Sequence, residues 1–321
     1  MTPYIIRRLI IAVPLLLAIS FVAFMFIHLA PGNYFDTLRM SPQISEETIK
    51  KYESQYHLDK PPLIQYAFWL KNLLRLDLGY SFVLMSPVTD VIKKRLFNTF
   101  ILSLAAMLFT WFIAIPLGIF CAVRQNSFSD RFFSALSFVG LSIPNFFFAL
   151  LLLYLASLTG ILPLGGMRSA NYEGLSQLGR FWDLLKHLLI PTIVIGTSSL
   201  AGLQRIMRGN MLEVLRAQYI TTARAKGLPE RRVIYIHALR NAVNPMITIF
   251  GYSLSGLLSG AALTEIITGW PGLGSVMLQA VRSQDLFLVM GSMLMGGVML
   301  IGANLVADIL LAWSDPRIQY K

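Results

Sequence analysis

Residues 98–123 read N-T-F-I-L-S-L-A-A-M-L-F-T-W-F-I-A-I-P-L-G-I-F-C-A-V, without one Asp, Glu, Lys, Arg or His. As an α-helix this run is about 39 Å long, enough to cross the roughly 30 Å hydrocarbon core of a bilayer. Only a helix or a closed barrel satisfies its own backbone inside lipid, and an uninterrupted apolar run of this length is a helix signal. Five further stretches follow the same pattern: Leu9–Leu29, Phe132–Thr159, His187–Ile206, Ala242–Thr268 and Leu286–Trp313. The expected fold is therefore an all-α polytopic membrane protein of six transmembrane helices. Pro14, Pro116, Pro144 and Pro191 interrupt the runs, which neighbouring helices in a bundle can accommodate.

Composition supports this. Apolar residues make up 55% of 321 and charged residues 13%, about half the usual soluble proportion. Mean hydropathy is +0.63, which argues against a soluble enzyme or a disordered scaffold. Cys121 is the single cysteine, so an internal disulfide and a cysteine metal cluster are excluded. His28, His57, His187 and His237 never fall at helical i, i+3 or i+4 spacing, so a histidine metal site has no support. The net charge of +11 fits orientation in a membrane rather than binding of nucleic acid. The first apolar stretch is too long for a signal-peptide core and is read as a permanent span.

With the N-terminus in the cytoplasm, the inner loops and ends collect fourteen basic residues, eight of them between Arg205 and Arg240. The two short outer loops hold four: Arg168, Arg180, Lys186 and Arg282. Lys93, Lys94 and Arg95 sit against this balance, but in a segment long enough for the rule to weaken. Both termini are expected inside. The organisation is then a first helix over 1–30, an outer segment over 31–97, a five-helix domain over 98–313 and a tail over 314–321. In the outer segment Ser45–Tyr56 and a stretch opened by Pro61-Pro62 read as amphipathic helices, and Ser86-Pro87 as a cap before the next helix.

The sequence carries no P-loop, no G-x-S-x-G, no H-E-x-x-H and no dinucleotide-binding glycine pattern. Glu265 and Asp308 are the acids nearest the bilayer, and neither lies near its middle, a poor basis for an ion-coupled carrier. The inner loop 207–241 stands out instead. From Leu212 to Lys226 it consists of helix formers, and Gly227 and Pro229 stop it. Leu212, Leu215, Tyr219 and Ala223 fall on one face of that expected helix, and the small residues after Ala217 keep its end slim. Such a helix suits a groove on another protein or the surface of anionic lipid. Arg205 and Arg208 fit either an acidic partner or lipid headgroups.

The segment Y-I-T-T-A-R-A-K-G-L, followed by R-R-V and H-A-L-R-N-A, resembles the inner-loop motif of ABC importer permeases, in the form of their peptide branch. The resemblance runs along the whole chain. It includes Tyr4–Leu9, His28–Gly32, Asp77-Leu78-Gly79, Leu141–Pro144, Trp270–Gly274 and Asp315-Pro316-Arg317, in the family's order. It implies the MetI-like transmembrane domain of type I ABC importers, in the inner membrane of a bacterium. It implies a second, homologous permease, two cytoplasmic ATPases that bind ATP and Mg, and an extracytoplasmic peptide-binding protein. The chain itself would be no enzyme and hold no cofactor.

By the same resemblance, Leu215, Tyr219, Thr221, Thr222 and Ala223 would couple to an ATPase. So would Lys226, Gly227, Leu228, His237 and Leu239. Thr221-Thr222 stands where the general family has Glu-Ala, His237 where it has Ile, and Arg240 where it has Pro. Ser142, Pro144 and Asn145, with Gly256 and Gly260, are pathway candidates, or alternatively serve helix packing. Glu265, Trp270, Pro271 and Gly272 would form an outer gate. The implied cargo is a di- or oligopeptide; relatives with nickel chelate, glutathione or sugar as cargo, and an ion-coupled secondary carrier, are the alternatives.

Overall fold

A computed structural model describes residues 2–30, 32, 34–39, 45–246, 249–250, 253 and 262–314. Four of its helices are long and apolar enough to cross a membrane, and a bent pair adds a fifth. The four are α1 (Thr2–Leu29), α5 (Val88–Val123), α8 (Gln177–Leu215) and the last helix, Leu286–Ser314. Residues 247–248, 251–252 and 254–261 of the expected span 242–268 lie outside the described residues, and Gly256 and Gly260 are among them.

The bent pair departs from the straight third span that the apolar run 132–159 predicts. α6 (Phe128–Ser142) and α7 (Asn145–Thr159) meet at an angle of 103°. Proline disfavours a helical conformation in the residue before it, and Ile143 is accordingly extended at ψ 124°. Pro144 then caps α7 without a side-chain bond. Ser142 Oγ donates to the Phe138 carbonyl at 2.9 Å, taking up a backbone acceptor that the break leaves open.

The chain forms two compact units. The first comprises residues up to Thr99 together with Pro271–Gly302. Its outer part contains α2 (Tyr34–Arg39), α3 (Glu46–Gln55) and α4 (Pro62–Leu73). The two helices expected here are present: the Ser45 side chain accepts from Thr48 N, and Pro62 opens α4, where a missing N–H costs nothing. Ser86 and Pro87 depart from the expected cap. They form strand β2, paired antiparallel with β1 (Tyr80–Ser81), and the helix starts one residue later at Val88. Phe24, Phe35, Ile49, Trp69, Phe82, Val88, Leu288 and Met290 form one core. Met290, in the methionine-rich stretch of the last helix, is thus a core side chain.

One acid organises this unit. Asp285 is fully buried and sits at the N-cap of the last helix. Its Oδ1 accepts from Leu288 N at 3.3 Å, and its Oδ2 accepts from Ser81 Oγ at 2.7 Å and from Val83 N at 3.2 Å. The carboxyl therefore caps a helix and clamps the 80–87 hairpin together. Gly79 enters that hairpin at φ +94°, and a Cβ there would lie 2.8 Å from the Phe287 ring. Both the conformation and the space require glycine.

The second unit comprises Phe100–Trp270 and the residues from Ala303 onward. Here α6 and α7 pack on α8. Thr110 Oγ1 donates to the Gly196 carbonyl at 2.9 Å, joining α5 to α8 where Gly196 leaves no room for a side chain.

Burial pushes the Asp285 carboxyl above its ordinary value, against the bonds from Ser81, Val83 and Leu288. A raised folded-state value means that its stabilising contribution is complete below the ordinary carboxylate range and is lost as pH rises through the raised value. Asp285→Asn should flatten that decline in the thermal midpoint measured from pH 4 to 8. Asp285→Ala should cost about 1–2 kcal/mol throughout, through loss of the cap.

Candidate functional site: the inner loop between α8 and residue 246

The loop is not the single helix 212–226 that its residues predict. α8 carries on through Leu215, the chain breaks at Arg216–Ala217, and a separate helix α9 covers Gln218–Ala225. Ala217 is extended at ψ 146°. Leu212 and Leu215 therefore belong to the end of the long helix. They do not share a continuous face with Tyr219 and Ala223.

α9 turns Ile220 and Ala223 inward. Both are buried against Met207 and Met211 of α8, with Val233, Ile234, Ala238 and Ala242 closing the same core. Leu215, Leu228 and Leu239 pack on it from the side, each half-buried. The outward face presents Tyr219, Thr221, Thr222, Lys226 and Gly227, all exposed. Ala223 is thus placed in the support of the surface, and Ile220 is a supporting residue that the sequence reading missed.

Gly227 ends α9 at φ +76°, with its N–H on the Arg224 carbonyl at 2.9 Å. Nothing lies within 4 Å of where its Cβ would be, so it is the left-handed backbone that selects glycine here. Leu228 N then reaches the Ala223 carbonyl at 3.4 Å. Arg224 bridges the turn, donating to both oxygens of Glu230 at 3.2 and 2.7 Å. This bond holds the Glu230 carboxyl below its ordinary value.

After the turn, Glu230–Arg232 is one helical turn and Val233–Ala238 is π-helical. The wider turn leaves Tyr235 and Ile236 exposed beside the basic residues Arg231, Arg232 and Arg240. Asn241 Nδ2 donates to the Tyr219 hydroxyl at 2.9 Å and to the His237 carbonyl at 3.3 Å, tying α9 to this arm. His237 Nε2 is buried without a hydrogen bond among the described residues. Tyr219, His237 and Asn241 are brought together, and Asn241 escaped the sequence reading because its partner is 22 positions away.

Behind the loop, Arg208 donates from Nε and Nη2 to the two oxygens of Asp130 at 2.8 and 2.7 Å. Arg208 therefore pairs within its own chain, and neither of the two sequence readings for it, an external acid or a headgroup, describes its contacts here.

The remaining expected site residues lie apart from this surface. Ser142 and Pro144 are exposed and Asn145 half-buried at the α6–α7 bend. Glu265 and Trp270 are fully buried, joined by Trp270 N on the Glu265 carbonyl at 2.8 Å, and Trp270 packs on Leu102 and Leu188. In the first unit the Pro271 carbonyl accepts from Asn98 Nδ2 at 2.9 Å, and Gly272 caps the helix Leu273–Arg282.

An apolar support under an exposed, mixed polar and basic surface is here joined directly to a helix long and apolar enough to cross a membrane. Residues 114–320 match the family described as binding-protein-dependent transport system inner membrane component. Residues 1–105 match the family of the N-terminal part of such membrane components. The chain belongs to this family of multi-pass inner membrane transport components.

Among its relatives, the oligopeptide transport system permease protein AppB of Bacillus subtilis is 40% identical over 322 aligned residues, with all of both chains covered. The dipeptide transport system permease proteins DppB of Escherichia coli K12 and of Alkalihalophilus pseudofirmus are each 35% identical, again over all of both chains.

The left-handed turn gives a test that separates conformation from bulk. Gly227→Asn, which tolerates φ near +76°, should keep most transport, whereas Gly227→Val should lose at least tenfold while inserting normally. Uptake per inserted protein, quantified by immunoblot, distinguishes the two.

Proposed function

We propose that this chain is one permease subunit of an ATP-driven ABC importer that takes up di- or oligopeptides. The observation that carries this is similarity over the full length to permeases named for oligopeptide and dipeptide transport, with none of either chain left over. In this reading the pathway lies between this chain and a second, homologous permease. An extracytoplasmic peptide-binding protein delivers cargo, and two cytoplasmic ATPases supply the energy by hydrolysing ATP with Mg. The division is a first span over 1–30, an outer segment over 31–97, a five-helix domain over 98–313 and a tail over 314–321. That makes six spans, with both ends inside.

The exposed face of α9 and the following arm is the ATPase contact. Tyr219, Thr221, Thr222, Lys226 and Gly227 meet the partner. Ile220, Ala223, Leu228 and Leu239 transmit its movement to α8 through the core they share with Met207 and Met211, and Leu215 receives it at the end of that helix. Thr221 and Thr222 carry no charge, so this contact relies on shape, on hydrogen bonds and on Lys226, Arg231 and Arg232. A two-state assembly biased by ligands at both ends then alternates the access of the pathway. Glu265, Trp270, Pro271 and Gly272 stand at its outer gate, and Ser142, Pro144 and Asn145 lie along it. In this reading the chain holds no cofactor of its own, and the ATP and Mg belong to the ATPases.

The test is reconstitution in proteoliposomes. The purified chain alone should neither hydrolyse ATP nor accumulate dipeptide. The co-expressed assembly should do both, and only with the binding protein present. Uptake by the chain alone down a proton or sodium gradient would replace this reading with a secondary carrier.

A further inference from the structure

The last turns of α5 border an open groove of about 740 Å³ in the second unit, a volume in the range of small-molecule sites. Phe112, Pro116 and Phe120 line it at four-residue spacing, one row along a single helix face. Arg124 continues the row one residue past the helix, its N–H still donating to the Phe120 carbonyl at 3.1 Å. Phe133 of α6 and Tyr235 of the π-helical arm line the groove as well, and Phe133 meets the Phe120 ring edge-on at 5.9 Å. Among the described residues no acid lines it, and apart from Arg124 and the Tyr235 hydroxyl its side chains are apolar.

The groove has the proportions of one lipid leaflet. From Phe112 to Arg124 the chain rises about 18 Å, close to half of the roughly 30 Å hydrocarbon core. Phe112 stands exposed at the apolar end, in the middle of a helix long enough to span. At the other end the Arg124 guanidinium carbon lies 4.6 Å from the centre of the Phe120 ring, which holds the charge at the mouth of the groove. Arg124 has no acidic partner among the described residues, and Asp130, the acid nearest to it in sequence, is taken up by Arg208. An apolar slot one leaflet deep, closed by an uncompensated guanidinium at the helix end, is complementary to an acyl chain joined to a phosphate.

We propose that this groove binds one anionic phospholipid, with an acyl chain along the Phe112–Phe120 row and the headgroup phosphate on Arg124. A zwitterionic lipid brings its own ammonium to the same guanidinium, so the site prefers a headgroup with net negative charge. The site goes beyond the transport role and does not depend on the cargo or the ATPase contact.

The experiment takes the tagged full-length chain, with the subunits that co-purify, into phosphatidylcholine nanodiscs. The probe is phosphatidylglycerol with a photoactivatable diazirine on its acyl chain, and adducts are mapped by peptide mass spectrometry. The proposal predicts saturable adducts on residues 112–123, displaced by unlabelled phosphatidylglycerol at about fivefold lower concentration than by phosphatidylethanolamine. Leu117→Trp, which fills the groove, should reduce these adducts about fivefold. Arg124→Gln leaves the apolar walls in place, so adducts should persist while the preference for phosphatidylglycerol disappears. Equal displacement by the two lipids in the unchanged chain, or adducts unaltered by both substitutions, overturns it. Absence of adducts from this stretch also overturns it, as when another subunit covers the groove. The readout needs neither ATP nor cargo, so it can fail while the importer reading stands, and the reverse.

Discussion

The seat of Ile220 and Ala223 on Met207 and Met211 is the contact on which the functional surface depends. Burying one isoleucine side chain stabilises by about 1.5–3 kcal/mol, and this one is fully enclosed. Without it, α9 is a helix of eight residues, too short to persist in water on its own. With it, α9 becomes a rigid projection of α8, and a force on the outer face of α9 acts on a membrane span. The paired Asp130 and Arg208 tie α6 to the same stretch of α8. A partly buried ion pair is poor evidence for net stability, but losing either member leaves an uncompensated charge. The pair therefore fixes the register of α6 against the part of α8 that carries the α9 core.

The long apolar runs were legible in the sequence because lipid leaves so few alternatives: 286–313 becomes a helix with ends close to those read, and 98–123 a helix that ends where read but begins ten residues earlier, at Val88. The loop motif was legible too, as was its glycine stop, since a left-handed residue after a run of helix formers has a strong local signature. The helix break before α9 was not. Residues 212–215 and 218–225 are both good helix formers, and Ala217 has no capping side chain to announce the break. Tertiary packing of Ile220 decides it, and helix propensity yields to packing of that kind.

The same reason hid the inward face. Reading Leu215, Tyr219 and Ala223 as one stripe assumes unbroken 3.6-residue periodicity. Once the break resets the phase, Tyr219 turns outward, and Ile220 replaces it in the core. The partner of Arg208 was illegible because it lies 78 positions away, and the clamp of Asp285 on Ser81 spans 204. At Pro144 the sequence did mark an interruption; the size of the bend, 103°, comes from an extended Ile143 that no helix signal encodes. Local chemistry marked the stop at Gly227 and the interruption at Pro144, and long-range contacts set the break before α9 and the face each element shows.

The relay account rests on one geometrical claim: the outer face of α9 meets an ATPase, and its inner face does not. Cys121 is buried and is the one natural cysteine, so single introduced cysteines report cleanly once it is replaced by alanine. Cross-linking with a short bifunctional thiol–amine reagent on the co-purified assembly tests the claim directly. Thr222→Cys should yield a covalent adduct with the ATPase subunit that changes in yield on adding ATP, and Ile220→Cys in a folded assembly should give none. Equal adducts from both positions, or an adduct from Ile220→Cys alone, would contradict the assigned faces.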